Sequence, residues 1–208
     1  MKHIFVEGTD RNAPVLLLLH GTGGTERDLL PLADRLSPTS SVLSVRGNVL
    51  ENGMPRFFRR LAEGVFDLED LAARTKELKD FLDSAAEQYG FDRNQVVAVG
   101  YSNGANIAGS LLFHYKGALR GAILHHPMVP IRGVALPDLS AVPVFIGAGV
   151  NDPICAPQET EELEQLLKGA GASVTTHWER SGHQLTSSEV AAAGAWFHQA
   201  FQAGSARV

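Results

Sequence analysis

Two short runs of consecutive aliphatic residues constrain this chain more than any other feature: Val15-Leu16-Leu17-Leu18-Leu19 and Val96-Val97-Ala98-Val99. Neither alternates with polar residues, so neither is a strand with one wet face. Both fall far short of the roughly 20 apolar residues that cross a bilayer. Each runs straight into a glycine-rich segment, His20-Gly21-Thr22-Gly23-Gly24 in one case and Gly100-Tyr101-Ser102-Asn103-Gly104 in the other. Strands buried on both faces read this way, and they belong to largely parallel sheets covered by helices.

The remaining segments repeat the pattern. Strands are expected at His3–Val6, Val15–His20, Val42–Val45, Gln95–Gly100, Gly121–His125, Val142–Gly147 and Ser173–Glu179. Helices are expected at Glu26–Leu36 with Thr25 as N-cap, Leu68–Tyr89, Asn103–Tyr115, Gln158–Lys168 and Ser188–Phe201. The alternation predicts one α/β domain over residues 1–208, with a mostly parallel sheet of about seven strands flanked by helices. Residues 46–66 break the period. Their aromatic content predicts an ordered loop with one helical turn, packed over one end of the sheet and too short for a large lid.

Composition narrows the function classes. Of 208 residues 44% are hydrophobic and 20% charged, with a net charge of −5, so nothing draws the chain to nucleic acid or to anionic lipid. Cys155 is the single cysteine, which excludes an internal disulfide and a cysteine-based zinc site. Lys2 is followed too soon by Glu7 for a signal-peptide apolar core, so a cytoplasmic location is expected, without stable membrane association. Monomer and homodimer both remain open.

The chemistry centres on Gly100-Tyr101-Ser102-Asn103-Gly104, a G-x-S-x-G pattern between a buried strand and a helix of small residues. A serine on such a sharp turn occupies a strained backbone conformation, and its neighbours two residues away must lack bulk. The turn aims the hydroxyl out of the carboxyl edge of the sheet, beside the positive end of the next helix. A nucleophile needs a base, and the base an orienting acid. Asp152 follows a later strand and is the expected acid, with Asp138, before that strand, the weaker choice. His183 follows the last strand and is the expected base, since His177 lies within the strand and His198 on the terminal helix.

The Gly21–Gly24 loop can supply the other half of an oxyanion hole, so the amides of Thr22 and Asn103 are the expected donors. A nucleotide loop fails on residues: the phosphate-loop lysine pattern is absent, and Glu26 and Asp152 stand where two dinucleotide patterns need glycine. His20 is read as a brace for the loop. Phe57, Phe58, His126 and Met128 are the candidate substrate-binding residues. Arg56, Arg59 and Arg60 are read as a solvated basic face over the aromatic pair. The His125-His126 pair lacks a third ligand placed by sequence, so no metal is expected. Cys155 is read as an inert buried thiol.

With these motifs in hand, Leu19–Gly24, Gly100–Gly104, Asn151-Asp152-Pro153 and Gly182-His183 resemble the phospholipase/carboxylesterase family of α/β-hydrolases. This lidless group includes bacterial carboxylesterases and acyl-protein thioesterases, and the resemblance spans essentially the whole chain. Ser44–Asn48 and Arg56-Phe57-Phe58 look most like a bacterial branch associated with quinone and catechol stress. The resemblance implies hydrolysis of a small-molecule ester or thioester through Ser102, Asp152 and His183, with no cofactor. A non-catalytic binding protein would have no need to retain all three. Dienelactone hydrolases use a cysteine nucleophile, so Ser102 is expected to separate this chain from them.

Overall fold

The computed structural model describes residues 1–202. In chain order the strands are β1 (His3–Val6), β2 (Val15–Leu19), β3 (Val42–Val45), β4 (Val49–Glu51), β5 (Met54–Arg56), β6 (Arg60–Ala62), β7 (Val65–Phe66), β8 (Val96–Tyr101), β9 (Gly121–His125), β10 (Pro143–Gly149) and β11 (Ser173–Glu179). The α-helices are α1 (Leu30–Leu36), α2 (Leu68–Tyr89), α3 (Asn103–His114), α4 (Pro157–Gly169) and α5 (Ser187–Phe197). Seven strands form one sheet in the order β1-β3-β2-β8-β9-β10-β11, parallel except for β1. This is the α/β-hydrolase fold.

The apolar runs sit where their composition requires. Leu17 and Leu19 of β2 face the core under α2, α3 and α4, while Leu16 and Leu18 face the opposite core under α1 and α5. Asp67 caps α2 by accepting the Asp70 amide, and Gly90 closes it in the left-handed conformation at φ 71°. No helix among the described residues is long and apolar enough to cross a membrane.

Sheet order also decides where a site can form. After β2 the chain moves outward to β3, then returns to the other side of β2 as β8. The loops leaving β2 and β8 therefore diverge, and the crevice between them lies at the carboxyl edge of the sheet. Register keeps the neighbouring ends level: Tyr101 and Gly147 both pair with His125, and Gly149 pairs with Glu179.

Two expectations change. Helix α1 begins at Leu30 rather than Glu26, with Pro31 in its first turn, and Thr25 accepts the Arg27 amide in a preceding turn. Glu26 turns inward, 3% exposed, to bind Arg46. Residues 46–66 contain no helical turn; they form two hairpins, β4–β5 and β6–β7. The first turns at Asn52-Gly53, with φ 50° and 79°, and Asn-Gly between short strands is itself a hairpin signal. That signal was present in the sequence.

Candidate active site

Ser102 stands between β8 and α3 at φ 53° and ψ −113°, a left-handed conformation that costs a non-glycine residue of the order of 1 kcal/mol or more. Its surroundings enforce it. The Ser102 amide donates to His125 O (2.9 Å), and a Cβ on Gly104 would fall on the backbone carbonyl of Leu19. A Cβ on Gly100 would meet the amide of Ala105 at 2.6 Å. The two glycines are thus demanded by the close approach of α3 to β2 and β8. Asn103 opens α3, where no intrahelical carbonyl can reach its N–H.

His183 arrives from the loop after β11, and Asp152 from the loop after β10. The loops are tied together, with the Asn151 amide donating to Ser181 O (3.1 Å) and Tyr101 Oη to His183 O (2.8 Å). His183 Nε2 lies 2.8 Å from Ser102 Oγ, and its Nδ1 lies 2.7 Å from Asp152 Oδ2. Asp152 Oδ1 accepts the amides of Ile154 (2.8 Å) and Cys155 (2.9 Å). Burial alone would raise the Asp152 carboxyl, but the Cys155 amide, the His183 ring and the Ile154 amide outweigh it and hold the group below the usual carboxylate range. A proton can therefore leave the serine for an imidazole whose far nitrogen faces an ionised carboxylate. Asp138, the weaker candidate for the acid, is exposed and accepts the amide and hydroxyl of Ser140.

The Gly21–Gly24 loop is braced on three sides. His20 Nδ1–H donates to Gly21 O (2.6 Å), while its Nε2 accepts the Gly47 amide (3.1 Å). These partners require the neutral ring, and burial accordingly lowers the His20 pKa. Gly23 N–H donates to Pro55 O (2.9 Å), linking the loop to the β4–β5 hairpin. Thr22 and Asn103, the two expected oxyanion donors, both line the cavity that holds Ser102 and His183. The Asn103 side chain is otherwise employed, accepting the Phe57 amide through Oδ1 (2.7 Å).

The cavity has a volume of about 270 Å³, and its wall differs from the one expected. Met128 lines it, together with Phe66 and Ile154, but Phe57 and Phe58 do not. Those two rings point into the core with 1% and 0% exposure, Phe57 against His20 and Phe58 edge-on to Phe66. His126 is also absent from the wall; it is 1% exposed and bonded behind Asp152. Arg56, read from sequence as solvated, is 3% exposed and lines the cavity beside Arg60. Its Nη1 donates to Thr22 Oγ1 (2.5 Å) and its Nε to Phe58 O (3.1 Å). No carboxylate among the described residues pairs with it. Burial, with help from Arg60 and against Glu51, lowers its pKa to about 10.

Cys155 is buried and lines the cavity; its thiol donates to His126 O (3.3 Å), and burial pushes its pKa up. The fold does place a possible set of metal ligands together that the sequence could not: atoms of His126, Asp152 and His183 lie within 4.8 Å of one another. Both histidine Nδ1 atoms, however, sit at hydrogen-bond distance from the same Asp152 oxygen, which suits shared protons.

Residues 52–194 match the dienelactone hydrolase family. The protein MhqD of Bacillus subtilis (strain 168) is 62% identical over 200 residues, covering 96% of this chain and 99% of that one. Acyl-protein thioesterase 1 of Cryptococcus neoformans is 25% identical over 172 residues, covering 74% and 72%. Among solved structures, the Bacillus cereus carboxylesterase superposes with a TM-score of 0.96 at 67% identity, covering 97% of this chain and 95% of that one. The expected kinship with bacterial carboxylesterases and acyl-protein thioesterases holds. The expected separation from dienelactone hydrolases does not, because a family likeness carried by more than half the chain is not decided by one side chain at the nucleophile position. The chain is a hydrolase and belongs to the dienelactone hydrolase family.

Proposed function

We propose that the protein is a serine carboxylesterase acting on small to medium carboxylic esters. The observation that carries this reading is the series Ser102 Oγ, His183, Asp152, with contacts of 2.8 and 2.7 Å at the wall of an accessible cavity. Ser102 attacks the acyl carbon as His183 Nε2 takes its proton. Asp152 keeps the ring in the Nδ1–H tautomer and stabilises the imidazolium that forms. The amides of Thr22 and Asn103 receive the negative charge of the tetrahedral intermediate. His183 then protonates the leaving alcohol and later activates the water that releases the acid.

The cavity supports the substrate class. About 270 Å³ sits just below the usual range for small-molecule sites, which begins near 300 Å³. Phe66, Met128 and Ile154 provide apolar wall, and the unpaired guanidinium of Arg56 suits an ester that carries a carboxylate. The same reading places the enzyme in the cytoplasm, acting on a dissolved ester without a cofactor, nucleic-acid partner or membrane. The thioesterase relative favours a second reading, in which the same groups expel a thiolate.

A fluorophosphonate should add one label to the folded protein, on Ser102, and Ser102→Ala should abolish both labelling and hydrolysis. Asp152→Asn should lower kcat by about 10⁴. Matched oxygen and thiol esters separate the two readings by their kcat/KM ratio. Labelling that survives in Ser102→Ala would remove the nucleophile assignment.

A further inference from the structure

Three buried ionisable residues behind Asp152 take no part in these steps. His125 ends β9, His126 follows it directly, and Glu189 lies in the first turn of α5 with no exposure. Glu189 Oε1 contacts His125 Nδ1 (2.5 Å), and Glu189 Oε2 contacts His126 Nε2 (2.9 Å). On its other side, His126 Nδ1 lies 3.0 Å from Asp152 Oδ2. The fold makes room for this arrangement. Gly147 of β10 lacks the Cβ that would fall on Glu189 Oε1. His126 sits at φ 53°, held there by its amide to Gly147 O (2.7 Å) and by the Cys155 thiol on its carbonyl.

A neutral imidazole has one N–H and one lone pair. Both nitrogens of His126 face carboxylate oxygens at hydrogen-bond distance, so a neutral ring would set a lone pair against an anion. The arrangement is satisfied by an imidazolium between two carboxylates. Burial would oppose that charge, but Glu189 and Asp152 outweigh it and raise the His126 pKa. The other groups facing His126 are the rings of His183 (centroids 5.3 Å) and Tyr101 (6.1 Å), with the thiol of Cys155. None of these carries a fixed positive charge. His125 Nε2 is buried without a described partner, so its single useful donor is the Nδ1–H given to Glu189.

We propose that His126 and Glu189 are positioning residues of the hydrolysis, Glu189 holding His126 as an imidazolium and His126 holding Asp152 Oδ2 in place against His183. The proposal rests on the reading of Ser102, His183 and Asp152 given above. It gives Asp152 four donors, two on each oxygen, so the carboxylate cannot rotate away from the base. It also stations a positive charge behind the acid, which tempers the pull of Asp152 on a protonated His183.

Glu189→Gln tests it with little loss of packing. The glutamine oxygen still accepts from His125, and its amide N–H can donate to the bare Nε2 of a neutral His126, whose Nδ1–H remains on Asp152. One charge of each sign is removed, and the nearer one, on His126, dominates at His183. The expected result is KM for a small aryl ester within about twofold of wild type and kcat lower by about tenfold, the scale of a mis-set supporting group. The acid limb of kcat/KM should move to higher pH by about half to one unit. In a His126→Asn background, Glu189→Gln should produce no further shift of the limb. An unchanged kcat and pH profile in folded Glu189→Gln would overturn the proposal, whereas failure of wild type to label at Ser102 would overturn the underlying reading instead. If the variant does not fold, nitrogen-15 histidine spectra of wild type decide. Protons on both His126 nitrogens at pH 7.5 support the imidazolium, and one bare nitrogen refutes it.

Discussion

Replacing Phe58 and Phe66 separately distinguishes a core ring from a pocket wall one residue cluster away. Phe58 has no exposure, packs edge-on against Phe66 at 5.0 Å and lies under the Arg56 guanidinium at 5.6 Å. Truncating a fully buried phenylalanine to alanine costs about 3–5 kcal/mol in lost transfer energy and residual cavity. At about 2–4 °C per kcal/mol for a chain of this size, the melting temperature should fall by roughly 10 °C. Phe66 is half-buried and lines the cavity, so Phe66→Ala should cost less stability and lengthen the apolar space beside Ser102. Each methylene newly accommodated is worth about 0.8 kcal/mol, or about fourfold in kcat/KM. Along a p-nitrophenyl series from acetate to palmitate, Phe66→Ala should move the optimum two or three methylenes longer. Phe58→Ala, assayed well below its midpoint, should keep the wild-type optimum. Urea unfolding measures the first effect and the ester series the second. A Phe58→Ala protein of wild-type stability with a lengthened optimum would refute the assignment and return Phe58 to the wall.

Arg56→Met should lower kcat/KM for an ester bearing a free carboxylate by about 10- to 100-fold, the worth of a charged hydrogen bond, while a neutral ester of the same size changes a few-fold. Equal losses on both would show that Arg56 serves only to hold Thr22 and Phe58. Glu189 should also govern stability in acid. Burial would raise its carboxyl, but His125 and His126 bring it down to about 2, so between pH 4.5 and 2 the unfolded chain binds a proton that the native one does not. Its contribution, of the order of 3 kcal/mol, is complete above pH 4.5 and lost as the pH falls toward 2. Urea unfolding at pH 7, 5 and 3 should therefore show a steeper loss for wild type than for Glu189→Gln, and parallel losses would contradict the assignment.

Much of the candidate site was legible before any tertiary contact was known, because its demands are local. A serine between a doubly buried strand and a small-residue helix needs Gly100 and Gly104, and both requirements lie within five residues. Asp152 and His183 were legible by one further step: parallel strands deliver their following loops to the same edge of the sheet. The hairpin at Asn52-Gly53 was also written locally, and the expected helical turn overlooked it. The directions of Phe57, Phe58 and Arg56 were not legible. In an irregular segment no period assigns a face, and neighbouring side chains part according to what crosses from elsewhere, here Asn103 taking the Phe57 amide and Thr22 meeting Arg56. Least legible was the cluster behind Asp152. His126 and Glu189 are 63 residues apart, joined because β9 ends beside β10 and α5 crosses the notch at Gly147. Local sequence thus determined the strands, the serine turn and the edge on which the site lies. Packing between distant elements decided which side chains face the cavity and which charges stand behind the acid, because burial and hydrogen bonding depend on neighbours that chain order alone does not supply.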